Sequence, residues 1–266
     1  MRTISASIRQ KPIFLFLRPP RSAVITDQFL DIRIPIQTLT VQTAWHLSPD
    51  ERKALRERDW ISLHGHAENS KDFKLALLEF GRSLGTPAST RTRNLVDELT
   101  PQDRQKANAR SLSRITGTGR QTWHMDLAHR LVPARYLVMG MYECTPTVAS
   151  TELLDTSMLI CDQLREAAFS EPFLIRTGAS SFYATMTSKS QPFVRFDPGC
   201  MQGVTDRAKQ LMQKVLDQDL PATHTHCWEA CSILVIDNWK MFHRRADASS
   251  STKRTLYRVS VLGGTG

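Results

Sequence analysis

Apolar residues recur at helical spacing in several separate parts of the chain. The clearest case follows Thr205, where one apolar stripe indicates a helix packed against a core: Ala208, Leu211, Met212, Val215 and Leu216. Start and stop signals predict four more helices, which begin at the capping box Ser48-Pro49-Asp50-Glu51, at Ser70 (ending at Gly85), at Thr100 and at about Thr156 (ending near Ala168).

Short β-rich runs bounded by turn residues lie between these helices. They are Trp60 to His64, Tyr136 to Tyr142, Phe173 to Arg176, Phe193 to Phe196, Ser232 to Ile236 and Leu256 to Leu262. The sequence has no βαβ alternation and no phosphate-binding glycine loop, which argues against a Rossmann or P-loop protein. We therefore predict a mainly β protein with flanking α-helices, built as a double-stranded β-helix (a cupin-like jelly roll).

No repeat, low-complexity tract or Gly/Ser linker divides the chain, so a single domain over residues 1–266 is predicted. The first 26 residues contain five basic residues and no acidic one, around a short apolar run at Ile13–Leu17. This run is shorter than a secretory core, and no small-residue cleavage site follows it. A mobile basic arm over residues 1–28 is therefore favoured, with a targeting segment as the alternative.

The formal net charge of +9 raises the question of an anionic partner. The basic residues are spread along the chain, without an aromatic-interleaved RNA motif, a zinc finger or a long basic helix. A field that gathers small anionic substrates is favoured, and neither a nucleic-acid nor a membrane partner is expected, since no apolar run approaches the ~20 residues of a membrane span. Five cysteines without a CxxC pair indicate neither disulfides nor a zinc knuckle and suit the reducing cytoplasm.

Candidate metal ligands occur at two distant places. His124 and Asp126 are two positions apart, so an extended strand would present both side chains on one face. His243 follows the predicted strand Ser232 to Ile236 and a turn, and it would complete a set of two histidines and one carboxylate. Such a set binds one face of iron(II) and leaves the other face open for a cosubstrate and dioxygen.

Three stretches resemble the taurine dioxygenase family of iron(II)- and 2-oxoglutarate-dependent oxygenases, whose members also resemble clavaminate synthase. The stretches are Trp123-His124-Met125-Asp126, Thr147 to Leu153, and Asp237-Asn238 through His243 to Arg254 and Arg258. Fainter similarity extends over about residues 45–263. The resemblance implies that His124, Asp126 and His243 hold the iron.

The resemblance also implies a cosubstrate site. Thr151, which lies 27 positions after His124, would contact 2-oxoglutarate, and Arg254, 11 positions after His243, would hold its remote carboxylate. Arg258 would be a second anion contact, either for 2-oxoglutarate or for an acidic group of the substrate, with a structural salt bridge as the alternative. One departure concerns the loop before Thr151, where Val148-Ala149-Ser150 replaces the family's Gly-Gly-Asp.

Several neighbouring residues receive weaker predictions. His129, in the loop after Asp126, is a candidate substrate contact, with an ordinary surface histidine as the alternative. His224 and His226 are expected to decorate an exposed strand or turn, with a second metal site as the alternative. Strand alternation places Trp123 and Trp239 in the core, and Arg244 and Arg245 are expected in solvent.

We therefore predict an enzyme that uses iron(II), 2-oxoglutarate and dioxygen to hydroxylate an unactivated C–H bond of a small anionic or amino-acid-like metabolite, with release of succinate and CO2. Two other interpretations stay open. One is a zinc hydrolase with the same three ligands and a bound water, which gives no role to Arg254. The other is a basic nucleic-acid-binding protein in which these residues are incidental.

Overall fold

The computed structural model describes residues 46–89, 93–108, 111–178, 180–251 and 254–263. The helices of this part are α1 (Pro49–Arg58), α2 (Ser70–Leu84), α3 (Leu112–Thr116), α4 (Thr156–Leu159), α5 (Asp162–Ser170) and α6 (Asp206–Leu216). Its strands are β1 (Trp60–His64), β2 (Gly85–Ala88), β3 (Asp97–Leu99), β4 (Tyr136–Met141), β5 (Thr151–Asp155), β6 (Phe173–Arg176), β7 (Ser181–Ala184), β8 (Met201–Gly203), β9 (His224–His226), β10 (Ser232–Asp237), β11 (Met241–Arg245) and β12 (Leu256–Gly263). The predicted basic arm over residues 1–28 lies outside the described residues.

The strands form three antiparallel sheets. The largest has the order β1-β10-β4-β12-β2, with β3 also paired to β12. A second sheet has the order β11-β5-β9, and a third has the order β7-β6-β8. The prediction of a mainly β protein with flanking helices is therefore confirmed.

The first two sheets face each other across a shared apolar layer. Met139 and Leu234 of the large sheet pack in one buried cluster with Leu153 and Met241 of the β11-β5-β9 sheet. Residues two apart on these strands project from the same face. The side chain of His243 therefore belongs to the inner face of its sheet, between the two layers.

Helix α2 covers the outer face of the large sheet. The side chain of Asn69 caps its first turn, and Phe73 and Leu77 on its apolar face are fully buried. Strand β4 contributes Gly140 beneath them, where an added Cβ would lie 2.8 Å from the Phe73 ring. This glycine allows the apolar face of α2 to pack closely against the sheet.

The predicted helix starts are mostly confirmed, including the capping box in which the Ser48 side chain accepts from the Glu51 amide. The single helix predicted from Thr156 is wrong, because the chain breaks at Ile160 and restarts as α5. The helix predicted at Thr100 is also wrong, since a turn follows instead. Its polar sequence offers no apolar face to pack against a core.

The strand predicted from Phe193 to Phe196 is wrong as well. The two phenylalanines pack into the core, but the segment between them pairs with no strand. Arg195 is fully buried there, and its guanidinium donates to the carbonyls of Arg130 at 2.6 Å and Leu131 at 2.8 Å. The segment therefore supports the loop after Asp126. No helix in the described part of the chain is long and apolar enough to cross a membrane.

Candidate metal centre and its surroundings

Strand β11 carries His243 at its centre, and His124 lies directly beside it. The His243 amide donates to the His124 carbonyl at 3.0 Å, and the His124 amide donates to the His243 carbonyl at 3.2 Å. This pairing is an isolated bridge, because the chain turns after Asp126 through Leu127, which has a φ of 57°. The predicted strand through His124 and Asp126 is thus reduced to one bridge, and the bridge fixes His124 against His243.

The three candidate ligands meet in a small space. Asp126 Oδ1 lies 3.9 Å from His124 Nε2, and Asp126 Oδ2 lies 3.7 Å from His243 Nε2. The ligand atoms of the three residues lie within 4.8 Å of one another. The His124 and His243 side chains are almost completely buried, with 7% and 8% of their surfaces exposed. The His124 Nδ1 lies 3.0 Å from the Thr122 carbonyl, which leaves its Nε2 for a ligand role.

The electrostatics of this cluster favour neutral imidazole beside ionised carboxylate. Burial, together with the neighbouring His124, lowers the pKa of His243 to about 3. Burial alone would raise the pKa of Asp126, but Arg258 and the two histidines hold it at about 2. Two neutral nitrogens and one anionic oxygen are the donors that suit a divalent iron ion. The residues present therefore fit iron(II).

Asn238 holds the backbone of Asp126 in place. Its Oδ1 accepts from the Asp126 amide at 2.9 Å, and its Nδ2 donates to the carbonyls of Asp126 at 3.1 Å and Ala134 at 2.8 Å. The side chain is completely buried. Asn238 belongs to one of the stretches singled out above, but the sequence alone gave it no role, because its partner lies 112 positions away.

Arg258 contacts two carboxylates in this structure. Its Nη1 donates to Asp126 Oδ2 at 2.5 Å, and its Nη2 donates to Asp97 Oδ2 at 2.9 Å. Burial would lower the pKa of Arg258, but these two carboxylates raise it. Arg258 thus contacts the group of three candidate ligands through Asp126. Its guanidinium forms structural salt bridges, which were the alternative to an anion-binding role.

Thr151 and Arg254 also meet, although 103 positions separate them. Arg254 Nη2 donates to Thr151 Oγ1 at 3.3 Å, and Arg254 Nη1 donates to the carbonyl of Ala149 at 2.7 Å. Trp228 Nε1 donates to the same threonine oxygen at 3.1 Å. Burial lowers the pKa of Arg254 to about 10, which leaves the group charged at neutral pH. A buried cation therefore lies beside a hydroxyl group.

The register of the β11-β5-β9 sheet relates this pair to the metal cluster. His243, Leu153 and His224 lie side by side across the three strands. The next row on the same face contains Arg245, Thr151 and His226. Rows two residues apart are separated by roughly 7 Å along the strands. The hydroxyl and the buried cation at Thr151 thus lie one row from His243.

Arg244 and Arg245 are buried, so their predicted exposure to solvent is wrong. Arg244 lies over the Trp123 ring at 3.8 Å and pairs with Glu152 at 2.5 Å on the outer face of the sheet. Arg245 Nη2 donates to the carbonyls of Gly117 and Gly119, at 2.7 Å each. Arg244 is therefore covered by Trp123, and Arg245 is covered by the segment that contains Gly117 and Gly119.

His226 is buried, so its predicted exposure is wrong too, whereas His224 stacks on Trp60 with ring centroids 3.6 Å apart. Apart from His124, Asp126 and His243, the described residues contain no group of three His, Cys, Asp or Glu side chains with metal-ligand spacing. Trp123 is buried as predicted, and Trp239 packs against the same core.

His129 lies in the wall of a cavity that is separate from the three candidate ligands. This cavity has a volume of about 760 Å³, and its walls include Phe182, Trp239 and Leu262. Asp126 and His243 are not among its lining residues. The structure therefore places His129 three positions from a candidate ligand but does not bring its side chain into the metal cluster.

Comparison with known proteins identifies relatives in structure only. No family model and no curated protein sequence matches the chain. An asparagine oxygenase solved with Fe(II), a hydroxyasparagine and succinate superimposes with a TM-score of 0.63, at 18% identity over 80% of this chain and 78% of that one. The iron oxygenase OrfP, solved with iron and α-ketoglutaric acid (2-oxoglutarate), gives a TM-score of 0.59, at 20% identity over 80% of this chain and 77% of that one.

A taurine dioxygenase from Burkholderia xenovorans gives a TM-score of 0.57, at 16% identity over 83% of this chain and 84% of that one. At such identities the likeness shows the fold. The chain has the fold of these non-haem iron oxygenases, and the predicted resemblance is confirmed at that level.

Proposed function

We propose that this chain is an iron(II)- and 2-oxoglutarate-dependent oxygenase that hydroxylates an unactivated C–H bond of a small metabolite and releases succinate and CO2. The observation that carries the proposal is the cluster of His124, Asp126 and His243 between two sheets, with the Thr151–Arg254 pair one row away. Solved proteins of the same fold contain Fe(II), 2-oxoglutarate or succinate, which supports these cofactors.

In this proposal His124 Nε2, His243 Nε2 and the Asp126 carboxylate hold the iron. Iron(II) bound there would activate dioxygen, which takes two electrons from the oxidative decarboxylation of 2-oxoglutarate and two from the substrate C–H bond. The protein keeps the His243 imidazole neutral by burial and keeps Asp126 ionised beside Arg258. Both conditions are needed, because a protonated ligand cannot bind a metal ion. The same burial keeps bulk water away from the reacting groups.

Thr151 and Arg254 bind the remote carboxylate of 2-oxoglutarate in this proposal. Arg254 uses one N–H for Ala149 and one for Thr151, and a guanidinium has five N–H donors. Its remaining donors match a carboxylate, and burial strengthens that interaction. The separation of roughly 7 Å between the rows of His243 and Thr151 also suits a five-carbon diacid whose other end lies at the metal.

For the substrate we propose a small anionic or zwitterionic molecule, such as an amino acid or a derivative of one. Two solved proteins of this fold contain a hydroxylated asparagine or a hydroxylated arginine, which supports this class. Arg258 is the proposed contact for an acidic group of the substrate, or a second contact for 2-oxoglutarate, because its Nε has no partner among the described residues. His129 stays a proposed substrate contact on the cavity beside Trp239.

We also propose that residues 1–266 form one domain with the topology of a double-stranded β-helix, and that the protein works in the cytoplasm. The facing sheets around the shared cluster of Met139 and Leu153 support the first point. The cysteines of the described part, all of which are free thiols, support the second.

The proposal is tested by succinate release. Metal-free protein is supplied with iron(II), 2-oxoglutarate, oxygen and a panel of amino acids and their derivatives, and the Asp126→Asn variant serves as the control. We expect iron-dependent succinate formation that one class of substrate stimulates and that the variant lacks. Hydrolytic activity that zinc supports and 2-oxoglutarate does not affect would instead establish the zinc hydrolase.

A further inference from the structure

Strand β9 places His226 directly opposite Thr151, on the same face of the sheet. Its ring lies edge-on to Trp228, with ring centroids 4.3 Å apart, and Trp228 Nε1 donates to Thr151 Oγ1. Arg254 is close enough to act on His226 electrostatically. The imidazole of His226 therefore belongs to the same buried group as the Thr151–Arg254 pair.

The His226 side chain is buried but incompletely hydrogen-bonded. Only 5% of the residue is exposed, and its Nε2 has no hydrogen-bond partner among the described residues. Leaving a buried polar atom without a partner costs about 1–3 kcal/mol, so such atoms usually face a ligand or an ordered water. Burial, together with the neighbouring histidines and Arg254, lowers the pKa of His226 to about 3, so its ring is neutral.

A carboxylate has more acceptor sites than Thr151 and Arg254 fill. Its two oxygens offer about four lone pairs, and a neutral imidazole can donate to one of them from Nε2. We infer that His226 is a third contact for the remote carboxylate of 2-oxoglutarate, with its Nε2–H donating to a carboxylate oxygen. This inference rests on the proposed function, because it concerns the cosubstrate of the same site.

The other partner for this histidine would be a metal ion, but the geometry argues against one. Besides Arg254, His64 and His224 act on His226 electrostatically, and the three histidines do not form a group with metal-ligand spacing. The ring of His224 is stacked on Trp60. An organic anion held partly by Arg254 is the ligand that this arrangement fits.

The test combines a side-chain change with a ligand change. His226→Phe keeps an aromatic ring beside Trp228 but removes Nε2, and His226→Gln retains an N–H donor. His224→Phe, two residues along the same face, is the matched control. For each iron(II)-loaded protein under anaerobic conditions, we would measure the dissociation constants of 2-oxoglutarate and of 2-oxovalerate, which lacks the remote carboxylate. The readouts are tryptophan fluorescence and the visible absorption of the chelate.

We expect His226→Phe to weaken 2-oxoglutarate binding roughly tenfold or more, as for loss of a hydrogen bond to a charged group, and to change 2-oxovalerate binding less than twofold. His226→Gln should recover part of the loss, and His224→Phe should bind both acids like the unaltered protein.

Equal weakening of both acids by His226→Phe would show a merely structural role and overturn the inference. Unchanged binding of both would show that only a water faces Nε2, and it would overturn the inference while leaving the proposed function intact. If the unaltered protein does not bind 2-oxoglutarate, the proposed function and the inference both fail.

Discussion

Replacing Asn238 with alanine should damage the metal centre without removing any ligand. The change leaves one buried backbone group, the Ala134 carbonyl, and two part-buried ones, the Asp126 amide and carbonyl, without their partner. At about 1–3 kcal/mol for each unsatisfied group, and with some relaxation, we expect unfolding to become about 3–5 kcal/mol easier. Because Asp126 is then less well oriented, iron(II) should bind roughly tenfold more weakly or worse.

Two measurements on the metal-free and metal-titrated protein test this expectation. Urea unfolding followed by tryptophan fluorescence gives the stability, and an anaerobic iron(II) titration gives the affinity. The matched control is Asn69→Ala, which removes a side-chain cap at two exposed amides of α2 and should cost only about 1 kcal/mol. The control should bind iron(II) normally. If Asn238→Ala were no less stable than this control and bound iron(II) equally well, the positioning role would be refuted.

Three further changes have defined outcomes. Arg254→Lys keeps the charge but removes the paired, planar N–H donors of the guanidinium. The affinity for 2-oxoglutarate, measured by fluorescence, should therefore weaken at least tenfold, which corresponds to the loss of roughly one charge-assisted hydrogen bond. His226 and His243 have a folded pKa of about 3, so between about pH 6.5 and 3 the unfolded chain binds more protons. The free energy of unfolding of the metal-free protein should therefore decrease as the pH is lowered through this window, by up to about 1.4 kcal/mol per pH unit for each histidine. The urea midpoint of His226→Gln should decrease less steeply than that of the unaltered protein. Gly203→Ala would place a Cβ 2.6 Å from the Lys209 amide, and thermal unfolding should show a loss of about 1–3 kcal/mol.

The elements that the sequence predicts correctly are those with local signals. The capping box at Ser48 and the apolar stripe after Thr205 each depend on residues within one or two turns, and both helices form where expected. The spacing to His243 and Arg254 drew on a resemblance, and the structure places His243 beside His124 and Asp126, and Arg254 beside Thr151.

The misses around the candidate metal centre share a physical cause, which is contact between segments that are distant in the sequence. His226 and Arg245 look like exposed polar residues locally, and only the register shows that they lie beside Thr151 in a buried row of the sheet. Asn238 was likewise without a role until the fold placed it under Asp126. Phe193 and Phe196 resemble strand residues because aromatic side chains favour strands, but Arg195 between them binds loop carbonyls that no local pattern reveals.

In the proposed function, His124, Asp126 and His243 bind one iron ion that also receives 2-oxoglutarate. The most direct measurement is an anaerobic titration of the metal-free protein with iron(II) and 2-oxoglutarate, followed by the visible charge-transfer absorption of the chelate. We predict a band that saturates at one iron per chain and is absent in His243→Ala and Asp126→Asn. No band in the unaltered protein, or an undiminished band in both variants, would contradict the claim.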